Sequence, residues 1–554
     1  MKSSALLALA LTVSFATSAL AKPAARTLAA ELDTIVARRF PPNGPGAAVL
    51  VRKGDSVLLR KGYGSADLEL DVPMRPEYIF RLGSITKQFT AAAIMMLAEQ
   101  GKLALADDIR KYVPDYLPKG APVTIEQLLT HTGGVPSYTS VPAFRLHARD
   151  DLTHAQVVAM VKDLPLDFAP GTKWSYSNTG YFLLGMVIEK ASGKRYDAFL
   201  AERIFQPLGM SHTRYGDVEP IIPGRIPGYD RVGAGYQNLE FVSMSGPFAA
   251  GALISSVDDL ARWDRAITDG KLLQASSWSR IFTPERLKDG SDTRYGFGWS
   301  IGAVQGHRVV SHGGAIPGFN AEIARLPDDG VLVVVLCNSS PGVTNPGDLA
   351  LRLAASAIGK PIVDPQPVTL APEILDRYAG VYLADDKTRA VVRRDGTQLT
   401  VLQSGGHMTL DAESDGRFFI RNLLTRIVFT HDDGGRVTGF DRIGADGNVE
   451  HFTRTDQPLP APRVAVAVDA QLLDGYVGRY ELAPGFVITI SREATQMFAQ
   501  ATGQDRLELF ASAPAEFFLT VVDAQISFVV GKSGRAEALI LHQNGHDSRG
   551  KRLP

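Results

Sequence analysis

The chain has 554 residues, of which 45% are hydrophobic and 21% charged, with a formal net charge of −1. That length is too great for one hydrophobic core and predicts roughly two to four domains. The composition is that of a soluble globular protein, and the near-zero charge speaks against nucleic acid or another polyanion as a partner. Cys337 is the single cysteine, so no internal disulfide can form.

The N-terminus reads Met1-Lys2, a short apolar core from Ala5 to Val13, and the small-x-small ending Ala19-Leu20-Ala21. This is the pattern of a secretory signal peptide at 1–21, cleaved after Ala21, and it predicts a periplasmic or secreted protein. The apolar part is short for a bilayer span, and no later stretch reads as one, so no membrane span is expected. Residues 22–360 read as one domain of helices and strands. Thr27 to Arg38 has helical spacing; Ala47–Arg52 and Ser56–Lys61 form a hairpin about Gly54-Asp55. Val123 to Gly134 predicts a capped helix beginning at Thr124, with His131 as a structural cap near its end. A helix is expected over Tyr181–Ala191 and another from near Val257. Tyr295–Ile301, Arg308–Ser311, Ala321–Leu326 and Val331–Cys337 read as strands, with turns at Gly302, Gly313-Gly314 and Pro327–Gly330. A helix over Asp348–Ile358 closes the domain. Strands at both ends with helices between them predict an α+β domain, an antiparallel sheet flanked by helices.

Pro361 to Pro372 reads as a linker. Beyond it the chain turns to short strands and tight turns, and it repeats: Leu375-Asp-Arg-Tyr-Ala-Gly-Val-Tyr382 matches Leu473-Asp-Gly-Tyr-Val-Gly-Arg-Tyr480. The period is roughly one hundred residues, which predicts two all-β barrel-like modules at 368–457 and 465–554. Gly405-Gly406-His407 is a loop tip suited to reach a cleft in the first domain and limit substrate size.

Three short elements carry chemistry. In Arg81-Leu82-Gly83-Ser84-Ile85-Thr86-Lys87, Ser84 stands at a helix start, among unpaired N–H groups and at the positive end of the dipole. Lys87 lies one turn on, on the same face. A lysine among apolar neighbours loses solvation, and its neutral amine can take a proton from a serine hydroxyl. By itself the spacing also fits a capping serine and a solvated lysine. Tyr176 and Asn178, two apart before a helix, point to one side. His312-Gly313-Gly314 lies at a strand edge where glycines let a substrate backbone approach. Gly298-Trp-Ser300-Ile-Gly302 has the glycine spacing of a hydrolase elbow, but turn and strand signals follow it, not a helix. No set of side chains has metal-ligand spacing, so no cofactor or metal is expected.

Taken in order, Ser84-x-x-Lys87, Tyr176-x-Asn178 and His312-x-Gly314 resemble the serine β-lactamase and penicillin-binding-protein superfamily, in its class C branch. The resemblance runs from about Leu28 to Ile358, with supporting stretches at Leu128–Gly134, Pro170–Trp174 and Gly318–Asn320. It implies an acylated nucleophile at Ser84 and a shared general base in Lys87 and Tyr176. Asn178 would hold the substrate amide, and the N–H groups of Ser84 and Ala315 would make the oxyanion hole. The usual third motif of the superfamily, Lys-Thr/Ser-Gly, is replaced here by His312-Gly313-Gly314. This removes a fixed positive charge that would grip a substrate carboxylate. The layout with two following barrels is similar to that of D-stereospecific aminopeptidases. The resemblance therefore implies a serine hydrolase acting on small amides, short peptides or esters, with a small molecule or short peptide as partner and the oligomeric state open. A β-lactamase or D-Ala-D-Ala peptidase, and a penicillin-binding scaffold without turnover, are the alternatives.

Overall fold

The apolar runs Ala47–Val51 and Val331–Cys337 form two adjacent inner strands of one antiparallel sheet. The computed structural model describes residues 27–554 except 117–120, 233–234, 240, 342–344, 385–387, 404–405, 422, 446, 461–464, 484, 503, 505, 523 and 544–545. The signal-peptide reading at 1–21 and Gly405 of the expected loop tip lie outside the described residues.

The strands are β1 (Ala47–Lys53), β2 (Ser56–Tyr63), β3 (Ser300–Val304), β4 (His307–Ile316), β5 (Phe319–Leu326) and β6 (Val331–Cys337), paired in the order β3-β4-β5-β6-β1-β2. The helices that position the site are α1 (Leu28–Ala37), α2 (Thr86–Glu99), α3 (Asn178–Ser192), α4 (Phe248–Gly251), α5 (Val257–Thr268) and α6 (Pro346–Ala357). Successive strand side chains point to opposite faces. Ala48, Leu50, Leu332, Val334 and Leu336 join the core shared with α2 to α5. Val49, Val51, Val333, Val335 and Cys337 join the core under α1 and α6. Helices cover both faces, so β6 throughout and β1 from Ala47 to Val51 are apolar and read as unbroken runs. Every residue of α2 from Thr86 to Leu97 is buried, as a helix at the centre of a core requires. Burial pushes the Cys337 thiol up to about 12, so it is a packed, unreactive side chain.

Two strand readings need correction. Tyr295–Trp299 is irregular, and the strand there is Ser300–Val304. Gly302 and Gly313-Gly314 are not turns. They lie inside β3 and β4, and the chain reverses instead at Gln305-Gly306 and Pro317-Gly318. Glycine within a strand marks close backbone approach as well as turning, and Gly314 serves that purpose in the site below. Ser300 opens a strand, with no helix behind it.

After the linker come two closed eight-stranded barrels, with strands running from Gly380 to Arg454 and from Gly478 to Arg552. The sequence repeat marks how each barrel closes. Tyr382 Oη donates to the Tyr378 carbonyl and Tyr480 Oη to the Tyr476 carbonyl, both at 2.7 Å. Tyr382 is registered opposite Arg454, and Tyr480 opposite Arg552, across the closing strand pairs. Each guanidinium lies over its tyrosine ring, at 5.9 and 5.7 Å. The first barrel docks on the α1/α6 side, where Leu424 and Ala445 pack against that core. The Leu424 N–H donates to Asp348 Oδ2 at 2.9 Å, and Arg294 reaches the Gly447 carbonyl at 2.7 Å. A turn of the second barrel brings Gly485 against Leu146 of the first domain. Among the described residues no helix is long and apolar enough to cross a membrane.

The sheet is tied to α5 by one buried carboxylate. Asp264 accepts from Arg52 of β1 and from Arg325 of β5, all three buried. Removing it would leave two buried guanidinium groups without a counter-charge. Asp264→Ala is expected to destabilise this domain by about 3–5 kcal/mol, measured by urea unfolding followed through Trp263, Trp278 and Trp299. Asp55→Ala, which breaks an exposed pair with Arg265, should leave the midpoint where it is. Equal shifts for the two variants would contradict this account.

Candidate active site

Two glycines bring the serine turn onto β4. Gly83, at φ +52°, precedes Ser84 in a 3-10 turn that leads into α2. A Cβ on Gly83 would stand 2.8 Å from the Ala315 nitrogen, and a Cβ on Gly314 would drive into the Leu82 carbonyl. Only a turn and a strand lacking both side chains can approach so closely. The backbone N–H of Ala315 is thereby held beside the turn that carries Ser84. Gly313, between His312 and Gly314, is exposed on β4.

Lys87 is completely buried. Its Nζ lies 3.1 Å from Ser84 Oγ, 2.9 Å from Asn178 Oδ1 and 2.8 Å from the Ala250 carbonyl. None of these partners is a carboxylate, and burial drives the ammonium well below its ordinary value. A neutral amine has two N–H donors and one lone pair. The carbonyls of Asn178 and Ala250 can take the two N–H groups, and the lone pair is then left for the Ser84 hydroxyl proton. Asn178 is the first residue of α3, one turn earlier than its sequence pattern predicts, with Ser177 as cap. Its Nδ2 donates to Thr139 Oγ1 at 3.2 Å, which turns Oδ1 toward the lysine.

Tyr176 completes the cluster from the other side. Lys87 Nζ sits 4.8 Å from the centre of its ring, and Ser84 lies near enough to act on its ionisation. From sequence, a neighbouring cationic lysine is expected to favour the phenolate. The structure reverses this: burial pushes the phenol up, with the Ser84 hydrogen bond a smaller opposing effect. Tyr176 is therefore a neutral hydroxyl near pH 7.

His312 is buried and neutral. Its Nδ1 donates to the Gly313 carbonyl at 2.6 Å, so Nε2 is the acceptor for the Tyr295 hydroxyl at 2.8 Å. Burial, and next the proximity of Lys87, lower the ring to about 3. His131 is more than a cap. It adopts φ +59° after the short helix Ile125–Leu129. Its Nδ1 accepts the Ser177 N–H at 3.1 Å, and its ring packs 4.3 Å from that of Tyr176 and 4.9 Å from that of Tyr295. Burial drives it too well below its ordinary value.

The residues of the three motifs thus gather in one place: Ser84, Lys87 and Asn178 bonded together, the Tyr176 ring against Lys87, and His312 to Ala315 along the strand beside the serine turn. Sequence reading misses Thr139, Ala250 and Tyr295. Ala250 acts through its carbonyl, which no side-chain pattern can signal. Trp174 and His131 fall within stretches that support the family resemblance, but nothing local places them on the wall of the cleft. Among the described residues no group of His, Cys, Asp and Glu is arranged to hold a metal.

Known proteins resemble this chain in sequence and fold. The profile of the Beta-lactamase family matches residues 34–357, and a domain of unknown function, DUF3471, matches residues 462–552, the second barrel. Penicillin-binding protein 4* of Bacillus subtilis is 31% identical over 436 residues, covering 74% of this chain and 94% of that protein. A D-aminopeptidase of Gluconobacter oxydans is 29% identical over 351 residues, covering 62% of this chain and 65% of its own length. Among solved structures, the D-amino acid amidase of Ochrobactrum anthropi complexed with L-phenylalanine amide aligns with a TM-score of 0.53 at 26% identity, over 59% of this chain and 99% of its own. The family match spans more than half of the chain and carries the whole serine–lysine–tyrosine cluster, and the chain belongs to the Beta-lactamase family, the hydrolase superfamily that includes D-aminopeptidases, D-amino acid amidases and penicillin-binding proteins.

Proposed function

We propose that this protein is a serine hydrolase that works through an acyl-Ser84 intermediate on small amides, esters and short peptides with an N-terminal D-amino acid. The observation that carries the reading is Lys87, fully buried, free of any carboxylate and bonded to Ser84 Oγ. In the forward step Lys87 Nζ takes the Ser84 proton as Oγ attacks the substrate carbonyl. The N–H groups of Ser84 and Ala315 receive the developing oxyanion. Tyr176 gives its hydroxyl proton to the departing amine or alcohol and is reprotonated from the Lys87 ammonium. Water then attacks the acyl-serine with the same pair acting in reverse. Asn178 holds the substrate amide, and β4 from His312 to Ala315 flanks it. The D-configuration rests on the named activities of the D-aminopeptidase and amidase relatives. The missing lysine at His312 argues against a preference for substrates bearing a C-terminal carboxylate, and so against a D-Ala-D-Ala peptidase or β-lactamase.

The deciding experiment is a substrate panel of D- and L-aminoacyl amides, short esters, a D-Ala-D-Ala peptide and a chromogenic cephalosporin. D-aminoacyl amides or esters should be turned over fastest. Efficient hydrolysis of the D-Ala-D-Ala peptide would overturn the carboxylate argument, and His312→Lys should move preference toward carboxylates. Ser84→Ala should abolish both turnover and labelling by a fluorophosphonate. Lys87→Ala and Tyr176→Phe should each cost roughly a thousandfold or more in acylation, and the double variant little beyond either, since they act as a unit.

The pH profile follows from Lys87. Its folded value is depressed, so the active amine form is present above that value and lost as pH falls through it. Acylation should rise on the acid side and level off well below the ordinary 10.5 of a lysine. His312 stays neutral above about 3, so it adds no break between about pH 5 and 8. A limb in that range that disappears in His312→Gln would contradict the assignment.

A further inference from the structure

Trp174 is 40% exposed, whereas the other three tryptophans are buried. An exposed tryptophan commonly marks a contact surface, and this one is held in place. The loop carrying it is fastened to the His131 turn by Gly171 N–H to the Thr132 carbonyl at 2.8 Å and Ser175 N–H to the His131 carbonyl at 3.0 Å. The indole packs 5.9 Å from the Tyr295 ring and 6.2 Å from the His131 ring. Those two rings in turn flank Tyr176, at 6.5 and 4.3 Å, and Tyr295 is bonded to the neutral His312. Trp174 is therefore the exposed end of a fixed, uncharged aromatic wall, backed by the buried rings of His131 and Tyr295, which pack in turn against Tyr176.

We infer that this wall is the subsite for the leaving group, and that it selects uncharged aromatic or apolar amines and alcohols through contact with Trp174. The inference rests on the proposed mechanism, in which Tyr176 protonates the leaving group and so fixes that group on its own side of Ser84. An aromatic leaving group would stack on the indole face. A carboxylate there would meet no fixed cation along the wall. The neighbouring cations Lys173 and Lys288 are exposed, where solvent and salt weaken their pull. A cationic leaving group would be opposed by the charge that Lys87 acquires when it takes the serine proton.

The test has two readouts, one of which needs no turnover. With three tryptophans buried, acrylamide quenching of intrinsic fluorescence reports mainly on Trp174. Millimolar benzyl alcohol should lower the quenching slope of the full chain, and tert-butanol or benzoate should lower it less. Equal protection by all three, or none by benzyl alcohol, overturns the subsite even if the enzyme proves to be a hydrolase. The kinetic readout compares the anilide and the methylamide of one D-amino acid, which share an acyl-enzyme. Trp174→Ala should reduce the anilide-to-methylamide ratio of kcat/KM by tenfold or more, and Trp174→Phe should restore most of it. An unchanged ratio in Trp174→Ala overturns the inference. If neither amide is hydrolysed by the unaltered protein, the proposed function fails, and with it the assignment of this wall to a leaving group, while quenching still decides whether the wall binds uncharged aromatics.

Discussion

Everything in the catalytic domain depends on keeping one amine dry. An isolated ammonium taken out of water is costly unless it is paired or neutral, and Lys87 has no acid to pair with. It is instead given two carbonyl acceptors and one hydroxyl, from Asn178, Ala250 and Ser84. The three partners come from three separate elements, α3, α4 and the turn before α2. The same desolvation that lowers the lysine's affinity for a proton also fixes how those elements must meet. A carboxylate in place of either carbonyl would hold the ammonium and remove the base.

The second constraint is distance. The serine turn and β4 can touch only because Gly83 and Gly314 have no side chains. That contact is what places a strand N–H beside Ser84, and it joins the helical core to the sheet at the point where chemistry is proposed. The sheet is in turn anchored from behind by the buried Arg52–Asp264–Arg325 cluster. The site is thus built between two rigid bodies rather than on a loose loop, although Tyr176 itself is held by the turn at His131.

Local patterns revealed much of this. Ser84 and Lys87 are legible because helical spacing sets them on one face. The sheet is legible because strands covered on both faces must be apolar throughout. The barrels are legible because each repeats the tyrosine that closes it. What was hidden is tertiary. The carbonyl of Ala250 has no signature. Tyr295 reads as a strand residue, yet its hydroxyl bonds the ring nitrogen that His312 leaves free. The tyrosine's ionisation was misjudged for the same reason: proximity to Lys87 is visible in a motif, but burial is not, and here burial outweighs the neighbouring charge for both groups. Gly313-Gly314 was read as a turn as well as a strand edge because glycine signals either reversal or close approach, and only the position of Leu82 decides between them.

The replacement of a fixed cation by His312 has a further electrostatic consequence. A permanent positive charge beside Lys87 would help keep that amine neutral, and it would also attract anionic substrates. His312 is itself held uncharged, first by burial and next by Lys87, so it provides neither effect. Here desolvation alone keeps Lys87 neutral, and a neutral ring stands where a cation would otherwise be. The same substitution therefore bears on two features at once, a lysine whose neutrality depends on its own burial and a proposed leaving-group subsite whose selectivity would come from shape and stacking rather than charge.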